Sequence, residues 1–194
     1  MSETTRHAGD DAARNAAVRL AHVGIGAAWN VQGAGVAATV ATLFGVTLDD
    51  TPNTVTSTGA IDALWLGPAS WLLVSGTAPP GDFAACRTAV QAAGGALFDV
   101  SASRVAVAVS GARTLDVLAA GCPLDLHPDV FTPGRCAQSV FGRVSALYCR
   151  APTGIVVLVP RSFGRDVWHG LREAAREYGY VEQAAQPWRA PYGV

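Results

Sequence analysis

The 194-residue chain fits one domain, or two small ones sharing a core, and can bury roughly 70% of its unfolded surface. Half of its residues are apolar and only 15% are charged, against a usual figure of about 25%, so it has a large interior or keeps part of its outside against a partner. A net charge of −1 gives no electrostatic reason to expect nucleic acid or an anionic membrane, and all fourteen basic residues are Arg, which excludes a Schiff-base or phosphate-loop lysine.

The first twenty or so residues are polar and mixed in charge, which predicts a flexible tail over 1–22 and no secretory leader. Four cysteines, at 86, 122, 136 and 149, show no paired spacing and fit a reduced, cytoplasmic setting. From Val23 to Leu48 no residue is charged, but five glycines with Asn30 and Gln32 interrupt the stretch, so a membrane span is disfavoured. The spacing predicts a strand around Ala28 to Gly33, with Trp29 and Val31 on one face. A helix follows with Val36, Val40, Leu43 and Phe44 at 3.6-residue spacing, and Gly45 stops it. A polar loop holding Pro52-Asn53 leads to a hairpin, Ala63 to Leu66 and Trp71 to Val74, turned at Gly67-Pro68. Asp82 can cap a helix whose Phe83, Cys86, Val90 and Ala93 share a face, and Leu97 to Val100 closes the unit.

The stretch from Asp99 to Gly179 repeats that plan. Arg104 to Ser110 is β-branched at alternate positions. Leu115, Leu118 and Cys122 recur at helical spacing, with Gly121 placed to end the helix in a left-handed conformation. Two apolar runs, Ala137 to Arg150 and Ile155 to Val159, form a hairpin about Ala151-Pro152-Thr153-Gly154. Ser162 can cap a last helix marked by Phe163, Val167, Leu171, Ala174 and Tyr178, and Tyr180 to Gln183 closes the second unit. The words Val31-Gln32-Gly33-Ala34 and Gly45-Val46-Thr47-Leu48 match Val109-Ser110-Gly111-Ala112 and Gly121-Cys122-Pro123-Leu124. The expected fold is therefore α+β, a single domain over 23–185 built from duplicated β-α-β-β-α units (about 23–100 and 101–185) of ferredoxin-like, split-βαβ type with largely antiparallel sheets. A tail over 186–194 carries Trp188, Arg189 and Tyr192, and reads either as a strap packed back on its own domain or as an arm reaching a partner, where such residue types anchor interfaces.

Chemistry is scarce. Cys122, His127, Cys136 and Cys149 could in principle hold zinc, but their spacing lacks the close pair of most structural sites, so no metal site is assigned. His127 alone among the histidines is flanked by acids, in Asp125-Leu126-His127-Pro128-Asp129; the residues alone leave a small Cys/His enzyme open there. No Gly-x-Ser-x-Gly, phosphate loop or correctly placed dinucleotide fingerprint occurs. Between Asp129 and Asp166 there is no Asp or Glu, although Arg135, Arg143, Arg150, Arg161 and Arg165 lie there, so that hairpin supplies no carboxylate base.

Asp99-Val100-Ser101, the run Gly121 to Pro128, Pro133 to Gln138, Pro160 to Phe163, and Leu64 to Pro68 with Trp71-Leu72-Leu73 resemble the γ subunits of heterotetrameric sarcosine oxidase. The resemblance covers about Trp29 to Gly179, and subunits of related N-methyl amino-acid dehydrogenases would look much the same. It implies a branch of the folate-binding fold of the glycine-cleavage aminomethyltransferase (T-protein), whose related halves can exchange strands. In that transferase the hairpin corresponding to Ser139 through Arg150 carries an acid serving folate chemistry, and here it has none. The resemblance further implies a four-subunit assembly oxidising sarcosine to glycine, with formaldehyde or 5,10-methylenetetrahydrofolate and hydrogen peroxide as the other products. FAD, FMN, NAD, tetrahydrofolate and zinc would sit on the partners. This chain would carry no catalytic, cofactor or metal residues and would dock mainly on the α subunit, with β and δ completing the complex. Its low charge and its tryptophans, read as exposed, suit that role. Arg135, Trp188 and Tyr192 are the expected partner contacts. The alternative is a standalone folate-binding protein or folate-dependent aminomethyl transferase.

Overall fold

A computed structural model describes residues 16–77 and 82–188. Near-continuous apolar runs, as a pleated strand with both faces covered requires, build two sheets packed face to face. The first half supplies β2 (Ala27–Gln32), α1 (Ala37–Phe44), β3 (Val55–Ser57), β4 (Ile61–Gly67), β5 (Ser70–Ser75), α2 (Phe83–Ala92) and β6 (Ala96–Asp99). The second half supplies β7 (Arg104–Ser110), α3 (Thr114–Ala119), β8 (Cys136–Phe141), β9 (Val144–Ala151), β10 (Gly154–Pro160), α4 (Gly164–Arg176) and β11 (Tyr180–Pro187). Ahead of both runs β1 (Val18–Gly24).

The five-stranded sheet has the order β3-β4-β5-β2-β6, and the six-stranded sheet β8-β9-β10-β7-β1-β11. The two orders correspond strand for strand, except that β1 is inserted between β7 and β11. β1 runs antiparallel to β7 and parallel to β11, and every other registered strand pair is antiparallel.

Three buried clusters follow from the strand alternation. Trp29, Val31, Ala63, Leu73 and Leu97 face α1 and α2, where Val40, Phe44, Cys86 and Val90 meet them. Val107, Val109, Tyr148, Ile155 and Val157 face α3 and α4, against Val117, Leu118, Val167 and Leu171. The opposite faces meet each other: Ala28, Leu64, Leu72 and Val74 from one sheet pack on Ala106, Leu147, Cys149 and Leu158 from the other. The result is four layers, helix–sheet–sheet–helix. The sheets are also stitched at one edge, where Thr54 bridges to Arg135 and Cys136 N–H donates to Asn53 C=O at 2.9 Å.

The expected helix signals divide. Asp82 caps α2, its Oδ1 accepting from Ala84 N–H at 3.0 Å, and Gly45 ends α1 at φ 69°. Ser162 does not cap α4: a 3-10 turn over Arg161–Phe163 precedes the helix, and no side chain caps it. Gly121 is not left-handed either, because α3 already ends at Ala119. A Cβ at Gly121 would lie 2.8 Å from the Phe141 ring, so the glycine serves close approach. The run Ala137 to Arg150 is two strands rather than one, turned at 142–143 where Gly142 has φ 62°. β3 forms within the polar loop expected ahead of the first hairpin.

Both expected tails also shorten. Residues 18–22 belong to β1, and β11 extends to Pro187, after which Trp188 is only 4% exposed. Three tryptophans, Trp29, Trp71 and Trp188, are buried and the other two half-buried; the exposed large apolar side chains among the described residues are Phe98, Val130 and Phe163. No described helix is long and apolar enough to cross a membrane.

The end of β11 is held by shape. Trp188 N–H donates to Gly24 C=O at 2.7 Å, and a Cβ on Gly76 would lie 2.0 Å from Trp188 O, closer than any real contact. Gly76→Ala therefore lowers stability by about 2 kcal/mol or more, read in urea melts. A variant as stable as the parent contradicts this packing.

Candidate functional site

The inter-sheet core contains a small polar cluster. Asp62 on β4 points into it and is 0% exposed. Its Oδ2 accepts the Trp188 indole N–H at 2.8 Å, while Oδ1 has no hydrogen-bond partner within bonding geometry. Burial pushes this carboxyl up to about 6 from 3.8, opposed more weakly by Ser57, its neighbour across the β3–β4 ladder, and by Trp188. Ser57 thus helps electrostatically without closing a hydrogen bond to Oδ1.

Cys136 and Cys149 face each other across β8 and β9 as free, fully buried thiols. Cys136 Sγ lies 3.2 Å from Thr54 C=O and 3.5 Å from Trp65 C=O, and burial pushes its thiol up to about 11. Burial raises Cys149 too, with Cys136 and Asp62 adding to the effect. Thiols held this way are neutral and inert, the opposite of an activated nucleophile. Asp62 is in turn sealed from any substrate.

The four residues that could in principle hold zinc do not converge. Cys136 and Cys149 lie on the inter-sheet face, Cys122 on the helix face, and His127 in a loop with its side chain 60% exposed. No group of three or more metal-ligating side chains occurs among the described residues. His127 organises its own turn instead. Its N–H donates to Asp125 Oδ1 at 2.9 Å, its C=O accepts from Val130 and Phe131, and its Nδ1 accepts from Asp129 N–H at 3.3 Å. A cavity of about 280 Å³ beside it is lined by Leu115, Asp116, Ala119, Leu124, Asp125 and Leu126, with no thiol or hydroxyl nucleophile.

Of the expected partner contacts, Arg135 is half-buried where the two sheets are bridged, Trp188 is folded into its own core, and Tyr192 lies outside the described residues. The acid-free hairpin is β8–β9, and the side chains that its strands turn to the inter-sheet side are Cys136, Gln138, Val140, Ser145, Leu147 and Cys149. The buried carboxylate comes from the other half of the chain. It was legible only as one acid, Asp62, leading an apolar run.

Residues 28–177 match the sarcosine oxidase gamma subunit family. The chain belongs to that family.

As a gamma-subunit family member it is 32% identical over 153 residues to a sarcosine oxidase subunit gamma from Corynebacterium sp. (strain P-1), covering 76% of this chain and 73% of that one. It is 31% identical over 118 residues to the subunit gamma from Arthrobacter sp, covering 59% of this chain and 57% of the relative's length. A chain in the heterotetrameric sarcosine oxidase from Corynebacterium sp. U-96, in complex with pyrrole 2-carboxylate, superposes with a TM-score of 0.74 at 27% identity, over 88% of this chain and 89% of that one. The glycine cleavage system aminomethyltransferase T from Bartonella henselae shares the fold, with a TM-score of 0.58 at 13% identity, over 88% of this chain and 48% of the transferase. The expected α+β, T-protein-like architecture is therefore the one observed.

Two outcomes follow from the buried groups. The folded state holds the Asp62 proton more tightly than the unfolded state, so stability falls as pH rises from about 4 through 6 and levels off above, by about 3 kcal/mol from this one group. In Asp62→Asn that contribution disappears: its melting temperature relative to the parent is higher at pH 8 than at pH 4.5, and parallel profiles contradict the assignment. All four thiols, each buried, react with Ellman's reagent only after unfolding; fast labelling of the native chain contradicts their placement.

Proposed function

We propose that this chain is the non-catalytic gamma subunit of a heterotetrameric sarcosine oxidase, supporting oxidative demethylation of sarcosine to glycine with formaldehyde or 5,10-methylenetetrahydrofolate and hydrogen peroxide as products. The superposition on a chain of the Corynebacterium sp. U-96 oxidase, near-complete in both directions, carries this reading. FAD, FMN, NAD, tetrahydrofolate and zinc belong to the partner subunits, and the α subunit is the main contact, in the cytoplasm. Arg135 and Tyr192 remain proposed partner contacts, whereas Trp188 is withdrawn because its indole is used internally. The matching strand orders of the two sheets support a duplication with its boundary between β6 and β7.

The side chains of the chain support a scaffold role through what they are already doing. The buried acid bonds an indole, the buried thiols are held neutral, and the loop histidine shapes a turn. What such a chain supplies to an oxidase is a rigid block whose edges and rim are free to touch other subunits.

Co-expression of the tagged chain with the other oxidase subunits from the same source tests the reading. The expected result is recovery of a flavin-containing complex that turns over sarcosine, and poor solubility of the chain expressed alone. His127→Ala leaves turnover of the complex within about twofold of the parent, since an exposed turn histidine contributes little. A chain that stays a soluble monomer and never recovers a flavoprotein contradicts the proposal, as does a large loss of turnover in His127→Ala.

A further inference from the structure

Two groups of arginines in this chain differ in their surroundings. Arg113, Arg172 and Arg176 pair with Asp116, Glu182 and Glu173 beside helices α3 and α4. At one end of the six-stranded sheet lie Arg104, Arg143, Arg161 and Arg165, none of which has an ion-pair partner among the described residues. The register places them together: Arg104 pairs with Pro160, Leu158 with Leu147, and Val140 with Ser145 beside the 142–143 turn. Arg161 is committed to backbone, donating to Ala102 C=O at 2.7 Å and Arg104 C=O at 3.4 Å. The acids nearest in sequence are Asp99 and Asp166; Asp99 accepts from Ser101 N–H and hydroxyl, and Asp166 follows Arg165 in the first turn of α4.

Arg104 lines an open cavity of about 340 Å³ at the mouth of the inter-sheet seam, with Leu66, Gln138, Val140, Ser145 and Leu147. Gln138 Nε2 donates to Leu66 C=O at 2.6 Å and fixes the β4 turn over β8. The Ser145 hydroxyl makes no hydrogen bond among the described residues. Burial lowers the basicity of Arg104, so the guanidinium has lost water without gaining an anion. β8 is the outermost strand of its sheet, and beyond the Thr54 bridge at its start no strand among the described residues pairs with its free edge, where Val140 C=O accepts the Tyr148 hydroxyl at 2.8 Å. A planar cation with a hydroxyl donor beside it matches a carboxylate, and an open strand edge matches extended backbone.

We infer that the Arg104 groove receives an aspartate or glutamate side chain from an extended acidic segment of a neighbouring oxidase subunit, lying along the free edge of β8. This rests on the subunit assignment proposed above and names the chemistry of the contact. Arg143, in the β8–β9 turn, and Arg165, in the first turn of α4, lie at the same end of the sheet and add long-range attraction for the same sign of charge. Phe163, 46% exposed on the turn after β10, gives that rim an apolar neighbour.

The test uses the co-expressed complex, with affinity of this chain for its partner subunits read by titration at several salt concentrations. Arg104→Glu weakens assembly at least tenfold. Ser145→Asp, at an exposed position, supplies an internal carboxylate to Arg104: it raises the melting temperature of the chain while weakening assembly at least tenfold. Arg176→Gln, far from the groove, leaves assembly unchanged, and parental affinity falls as salt rises. If Arg104→Glu fails to fold, Ser145→Asp decides alone. Parental assembly by a folded Ser145→Asp chain overturns the inference while leaving the subunit assignment standing. Failure of the parent chain to recover any oxidase subunit overturns both.

Discussion

One bond crosses the middle of this molecule. The indole of Trp188, at the end of the last strand of one sheet, donates to the carboxylate of Asp62, inside the other sheet. Everything near it is arranged around that reach: Gly76 has no side chain because Trp188 C=O occupies its space, and Gly24 C=O accepts the Trp188 N–H. An acid sealed between two sheets is a liability unless something answers it, since an unsatisfied buried carboxylate costs several kcal/mol or stays protonated. Here one oxygen is answered and the other is not, so the group sits at the boundary between the two solutions. Asp62 itself has no exposed surface through which solvent could answer that oxygen directly.

That constraint also explains the functional character of the chain. A T-protein-like fold can host one-carbon chemistry, but chemistry lives in sites and not in folds. In this family member the inter-sheet face of β8–β9 presents cysteine, glutamine, valine, serine and leucine, and the one buried carboxylate among the described residues, on β4, gives one of its oxygens to Trp188. The interior makes the Asp62–Trp188 bond, while Asp62 Oδ1, Trp65 Nε1 and Arg150 Nε are buried with no hydrogen-bond partner among the described residues. What remains available is the exterior: open strand edges, a cationic end with unpaired guanidiniums, and a few exposed apolar side chains. Those are the materials of an interface.

The sequence made the helices and the central hairpins legible because their periodicity is local. Val36, Val40 and Phe44, or Val167 and Leu171, announce a buried stripe whatever surrounds them. The words Val31 to Ala34 and Gly45 to Leu48, matched at Val109 to Ala112 and Gly121 to Leu124, exposed the correspondence of the two halves. β1 was hidden by context: Val18 and Leu20 alternate with Arg19, but they adjoin a polar segment and were read with it. β8 was fused with β9 because the two residues turning the hairpin include only one glycine inside an apolar run. Ser162 is a competent capping residue, yet the chain enters α4 through a 3-10 turn that leaves no place for a cap. The Asp62–Trp188 pair could not be read at all, since the residues stand 126 apart and neither belongs to a local pattern. Long-range burial alone gives them meaning.

The central claim is that this chain contributes structure and contacts to a flavoprotein assembly while holding none of its cofactors. Native mass spectrometry of the purified assembly, releasing this subunit by collisional activation, addresses that claim directly. The account predicts release at the bare polypeptide mass, with flavins, folate and zinc retained on the remaining subunits. Release of this chain carrying the added mass of a flavin, a folate or a metal ion would contradict it.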